Sequence, residues 1–295
     1  MRVAWTRDAP EYSPALRICT GGRGGAQAVH CTASAPFRDA RRTAAQDPAT
    51  PALAMSAPPL SPSIVPALDA LLAGMAAAAA GGPPARLLAV SKTQPADAVA
   101  RVAAALRARP PAGPLAFGEN YVQEALEKQP ALAGLGIEWH LIGHLQSNKA
   151  KKAGELFHVV HSVDGAEQLV ALDKGAMQAG HTVEALVQVD LAGEATKHGI
   201  EPDAVFSLFE AAARCQAVRP VGLMLLPPAA ANPEAVRPYF KALQRLRADL
   251  RSRGVPDAAL RELSMGMSHD FEVAVEEGAT MVRVGSAIFG PRTYA

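Results

Sequence analysis

Lys92 stands just past a short apolar run, Leu87 to Val90, in the stretch RLLAVSKTQPADAV. A lysine there has two uses. It can run its alkyl stem along the strand end and leave its ammonium in water. Alternatively, desolvation lowers the pKa of the amine and frees it to attack a carbonyl and form a Schiff base. Alternation along a strand puts Val90 and Lys92 on one face, with Ala89 and Ser91 on the other. The second chemistry-bearing region is ELSMGMSHDFEVAVEEGATMVRVGSAIFGPR, near the C-terminal end. Ser268 and Ser286 can donate hydroxyl hydrogen bonds, and Gly285 permits close backbone approach; together they suit an anion such as a phosphate. Arg283 lies two residues before Gly285 on the same strand face. It can pair with an acid at the rim. It can equally donate to a heteroaromatic nitrogen, and because a guanidinium keeps its proton, it would disfavour protonation of that ring.

Other polar residues have plainer readings. His140 and His144 share a strand face, but no third ligand converges on them in the sequence, so no metal site is expected; His140 is expected to pack or hydrogen-bond near the site. Lys149, Lys151 and Lys152 read as a solvated face, with phosphate steering as the alternative. Glu119 is a candidate for orienting its neighbours at the site rim.

The elements that must position these residues repeat from Ser63 onward as apolar strand, polar turn and amphipathic helix. Eight strands are expected: Leu87–Thr93, Leu115–Glu119, Trp139–His144, His158–Val163, Ala185–Leu191, Pro220–Leu226, Leu263–Ser268 and Met281–Ile288. Helix signals fall between them. Asp164 is placed as an N-cap with Glu167 at N3, Gly180 ends that helix, and Asn232-Pro233 opens a long helix stopped by Gly254. Near-continuous apolar strands alternating with helices indicate a parallel sheet covered on its outer face. Eight units in about 230 residues suit a single closed (β/α)8 TIM barrel, an α/β fold whose chemistry sits at the C-terminal strand ends. An open doubly wound sheet is the competitor, although no GxGxxG follows the first strand.

Composition excludes several classes. Lys plus Arg number 29 against 28 Asp plus Glu, a net charge of +1, so no dedicated nucleic-acid surface is expected. No apolar run reaches membrane-spanning length. Cys19, Cys31 and Cys215 form no CxxC pair and no disulfide framework, which suits a reducing cytoplasm. Residues 1–58 read as a disordered or mis-started extension, with Met55 a plausible true start, and residues 59–295 as the barrel.

The segments AVSKTQP, FGENYVQE, WHLIGHLQSNKAKK, HSVDG, GLMLLPP and LSMGMSHDFEVAVEEGATMVRVGSAIFG, in that order, resemble the pyridoxal phosphate homeostasis protein family, whose barrel is related to that of alanine racemase. The resemblance spans roughly Pro66 to Arg292. It implies that Lys92 holds pyridoxal 5′-phosphate as an internal aldimine. It also implies that Asn120 lies beside the cofactor, that Arg283 faces the pyridine nitrogen, and that Ser268, Gly285 and Ser286 hold the phosphate. Two departures stand out. Ser286 replaces a frequent threonine, keeping the hydroxyl, and GLMLLPP has Leu-Leu where a threonine is common.

Given that resemblance, a non-catalytic carrier is expected that buffers the cofactor and delivers it to apo forms of pyridoxal phosphate-dependent enzymes, and a monomer is expected because the dimer interface of the racemases lies largely in their second domain. A racemase needs a second base opposite the lysine. In the racemases that base is a tyrosine from a β-rich domain, which is not expected in a chain ending at Ala295. Of the nearby tyrosines only Tyr121 falls close to the barrel mouth. A racemase-like enzyme and a cofactor-free Schiff-base aldolase are the alternatives.

Overall fold

The computed structural model describes residues 64–109, 113–193 and 198–290. The expectations for residues 1–58, including Met55, Cys19 and Cys31, lie outside them. Eight parallel strands close into a barrel in sequence order: β1 (Arg86–Val90), β2 (Ala116–Glu119), β3 (Glu138–Leu141), β4 (Val159–Val163), β5 (Val183–Val189), β6 (Val218–Leu225), β7 (Glu262–Met267) and β8 (Met281–Val284). Closure is made by β8 pairing with β1, where Leu88 stands beside Arg283. The (β/α)8 architecture expected from the strand count is the one observed.

Strand alternation divides the barrel into two environments. Ala89, Phe117, Trp139, Leu141, Val160, Val187, Leu223 and Val282 face outward into one continuous core shared with the helices. Leu88, Ala116 and Met281 form a separate buried cluster, and Val159, Leu186, Val221 and Met224 another. These two clusters, contributed by alternate residues of the same strands, fill the barrel interior.

Several strands end earlier than their apolar pattern suggests. β1 stops at Val90 and β3 at Leu141, so Lys92 and His144 sit on the loops that follow. β8 stops at Val284 because Gly285 leaves the extended region (φ −120, ψ −70) and begins a short helix, Ser286–Phe289. The helix at Ala166–Ala179 is capped by Gly165, without a side-chain cap from Asp164. Gln168 takes up Asp164 instead, donating to its carboxylate at 2.7 Å while accepting from its backbone N–H at 2.9 Å. Gly180 ends that helix at φ +73, as expected, and Asn232 accepts from the Glu234 N–H to open a 3₁₀ turn before the long helix Arg237–Ser252.

Candidate functional site

A cavity of about 490 Å³ opens at the C-terminal ends of the strands, within the size range of small-molecule sites. Its wall includes Lys92, Asn120, Ser268, Arg283, Gly285 and Ser286. Residues from the loops after β1, β2, β7 and β8 therefore meet in one place, although up to 194 positions separate them in the chain, from Lys92 to Ser286.

Lys92 is presented by a tightly held loop. The Ser91 N–H donates to Gly118 O at 2.9 Å, and Ser91 Oγ donates to the Glu119 carboxylate at 2.6 Å. Lys128 Nζ donates to Ser91 O, Glu119 Oε1 and Glu124 Oε1 at 2.8–2.9 Å, and the Thr93 N–H donates to Glu124. These bonds hold Thr93 in the left-handed region (φ +64), a conformation that costs a residue other than glycine roughly 1–2 kcal/mol. Val90 and Lys92 reach the cavity while Ser91 turns away from it, following the alternation of the strand. Glu119 is fully buried rather than at the rim. Burial pushes its pKa up, outweighing the hydrogen bonds from Lys128 and Ser91.

Beside Lys92, where β8 closes the barrel against β1, Ser268 Oγ lies 3.3 Å from the Gly285 N–H and 3.5 Å from that of Ala287. The β7 and β8 loops thus place a hydroxyl and backbone N–H groups together. A Cβ on Gly285 would sit 3.2 Å from Val90 O, so the glycine lets β8 turn tightly against β1. Gly143 is more demanding still, because a Cβ there would fall 2.2 Å from Asn120 O. Arg283 is almost completely buried and donates to Ser264 Oγ at 2.7 Å and to Leu225 O at 2.8 Å. Burial lowers its pKa to about 10, which leaves it protonated at neutral pH.

The sequence left out Gln188, His198, Met267 and His269, which also line the cavity. They come from the loops after β5 and β7 or from the end of those strands, and no spacing relative to Lys92 announces them. His140 does not reach the cavity wall. It is buried in the barrel interior between Glu138 and His161. His144 does reach the wall, and there it meets Asp164 and His198, with candidate ligand atoms within 4.8 Å of one another. A third ligand for His144 therefore exists in space, contrary to the reading from sequence. The two imidazoles are nevertheless stacked, with centroids 3.4 Å apart and an interplanar angle of 11°. Planes so nearly parallel do not meet within bonding distance, so the two lone pairs cannot converge on one ion in this arrangement. Tyr121 is 64% exposed and lines the adjoining depression with Lys149 rather than this cavity.

The family model described as alanine racemase, N-terminal domain, matches residues 67–293. The pyridoxal phosphate homeostasis protein of Aquifex aeolicus is 43% identical over 210 residues, covering 71% of this chain and 88% of the relative. The chain belongs to the pyridoxal phosphate homeostasis protein family. The family member from Pseudomonas aeruginosa is likewise 43% identical, over 221 residues, 74% of this chain and 90% of that one. PipY of Synechococcus elongatus PCC7942, whose structure was solved with PLP bound, superposes with a TM-score of 0.66 at 37% identity, covering 77% of this chain and all of PipY. Alanine racemase from Corynebacterium glutamicum, 20% identical with a TM-score of 0.54, shares the fold over 77% of this chain and 62% of its own.

The residues around the cavity suit that family's cofactor. A primary amine, a side-chain amide, two hydroxyls, backbone N–H groups and a guanidinium surround one small-molecule-sized space. They are the donors that an aldehyde, a phosphate and a ring nitrogen require.

Proposed function

We propose that this protein binds pyridoxal 5′-phosphate covalently through Lys92 and serves as a carrier that buffers the cofactor and delivers it to apo-enzymes. The observation that carries the reading is the convergence of Lys92, Ser268, Arg283, Gly285 and Ser286 on one cavity at the C-terminal mouth of the barrel. The names of the relatives and the PLP-bound PipY structure support it.

When bound, the cofactor supplies an aldehyde with which an amine condenses reversibly, so holding and release use the same bond. Lys92 provides the amine, and the bracket of Ser91, Glu119, Glu124 and Lys128 holds its loop. Ser268, Ser286 and the backbone at Gly285 bind the phosphate, while Asn120 flanks the ring. Arg283 donates to the ring nitrogen without giving up its proton, which restrains the electron withdrawal that amino-acid chemistry needs. The protein acts as a monomer in the cytoplasm, and its partners are apo forms of pyridoxal phosphate-dependent enzymes.

One observation favours a racemase-like second reading, because His144, His198 and His269 line the cavity and an imidazole can serve as a base. Two assays on the loaded protein separate the readings. A carrier restores activity to an apo-aminotransferase after free cofactor is removed. Lys92-dependent exchange of the α-hydrogen of alanine in deuterium oxide, without such transfer, contradicts the carrier reading.

A further inference from the structure

Behind Arg283, the barrel interior holds a continuous hydrogen-bonded chain. Ser264 Oγ accepts from Arg283 at 2.7 Å and lies 2.9 Å from His161 Nδ1. His161 Nε2 lies 2.8 Å from His140 Nδ1, and His140 Nε2 lies 2.7 Å from Glu138 Oε1. Arg86 closes the far end, donating to the same carboxylate at 2.6 Å. The chain thus crosses from the cavity wall to the first residues of β1 and β3 at the opposite end of the barrel. Ser264, His140 and His161 have no exposure to solvent.

With neutral imidazoles, the carboxylate end fixes the direction of every link. A guanidinium only donates and an ionised carboxylate only accepts. Ser264 Oγ accepts from Arg283, and its own proton goes to His161 Nδ1 when that nitrogen bears a lone pair. A neutral His161 then carries its proton on Nε2 and donates to His140 Nδ1. A neutral His140 in turn donates from Nε2 to Glu138. The reverse sense would set a lone pair of His140 against the carboxylate. Burial lowers the pKa of both imidazoles and so favours their neutral forms.

We propose that Ser264, His161 and His140 are positioning residues that hold the Arg283 guanidinium in place at the cavity wall and, by polarisation along the chain, relay the influence of the Glu138 carboxylate to it. This rests on the assignment of Arg283 to the ring nitrogen of pyridoxal phosphate. The relay makes Ser264 Oγ a better acceptor and so moderates how strongly Arg283 polarises that nitrogen. Polar residues inside a barrel otherwise filled with apolar side chains thereby acquire a role at the site.

The test has two arms. In the cofactor-free protein labelled with nitrogen-15 histidine, long-range proton–nitrogen correlation at neutral pH reads the tautomers directly. Neutral Nε2–H forms are expected for both His140 and His161, and an Nδ1–H tautomer or an imidazolium at either overturns the proposal. In the second arm, the protein is loaded with cofactor labelled with nitrogen-15 in the ring. His161→Phe is expected to move the ring nitrogen resonance upfield, the direction of stronger donation. His161→Gln, which retains an acceptor and a donor, is expected to restore it towards the wild-type position. An unchanged resonance in His161→Phe overturns the coupling. A wild-type protein that takes up no cofactor overturns the reading of the site and the coupling with it, whereas the histidine tautomers stand or fall independently in the first arm.

Discussion

Removing Lys128 tests whether the loop bearing Lys92 is held by a buried charge pair. Lys128 and Glu119 are 6% and 0% exposed at the side chain and lie 2.8 Å apart. In Lys128→Met the Glu119 carboxylate keeps only the hydrogen bond from Ser91, and its Oε2 already has no hydrogen-bond partner. Breaking a buried pair from one side costs about 3–5 kcal/mol, because the remaining charge is stranded. Protonation of Glu119 limits that loss. Its folded-state pKa is already raised by burial, and losing Lys128 removes the main opposing influence, so it rises further. A carboxyl whose pKa is raised on folding contributes most below its unfolded value, and that contribution is lost as pH climbs through the folded value. The variant should therefore come nearest to wild type in mild acid and weaken toward mild alkali, by at most about 1.4 kcal/mol per pH unit for one proton. Urea denaturation across this range supplies the assay. Adding Glu119→Gln should flatten the dependence and recover much of the stability. A loss that is the same at both ends of the range, or one that Glu119→Gln deepens, refutes the reasoning.

Glu138 has the opposite sign. Burial pushes its pKa up, but the hydrogen bond from His140 and the charge of Arg86 more than reverse this, to about 2. The stability it contributes is complete above its unfolded value and is lost as pH falls through the folded one, and Glu138→Gln should lack that acid-side decline in thermal melts. Gly143→Ala forces a Cβ to within 2.2 Å of Asn120 O, so it should cost at least about 1–3 kcal/mol in urea titrations and loosen cofactor binding. Ser268→Ala removes a hydroxyl from the wall proposed to hold the phosphate, and equilibrium dialysis should show a loss on the order of tenfold in affinity for pyridoxal phosphate.

The barrel was readable because each strand is buried on both faces and so appears as a compact apolar run. The strand ends were not, since apolar residues such as Ile142 and Ile288 continue the pattern after the backbone has turned away. Lys92, Ser268 and Ser286 could be picked out because reactive or hydrogen-bonding side chains followed strands one, seven and eight. His198 and His269 lie in loops whose composition is ordinary, and only the closed barrel brings them to the wall. The partners behind the site were hidden for another reason. Lys128 and Glu124 hold the Lys92 loop from more than 30 positions away, and His161 and Ser264 sit 103 residues apart. The polar residues inside the apolar strands HVVHSV and ELSMGM were the available signal for the interior chain, although a strand sequence alone does not show which polar groups will face one another.

The central claim is that Lys92 is the attachment point. Borohydride reduction of the loaded protein, followed by peptide mass spectrometry, tests it most directly. The account predicts one pyridoxyl-modified lysine, Lys92, and loss of both the label and the visible absorption band in Lys92→Ala. Modification at Lys128 or Lys149 in place of Lys92, or an undiminished band in Lys92→Ala, would contradict it.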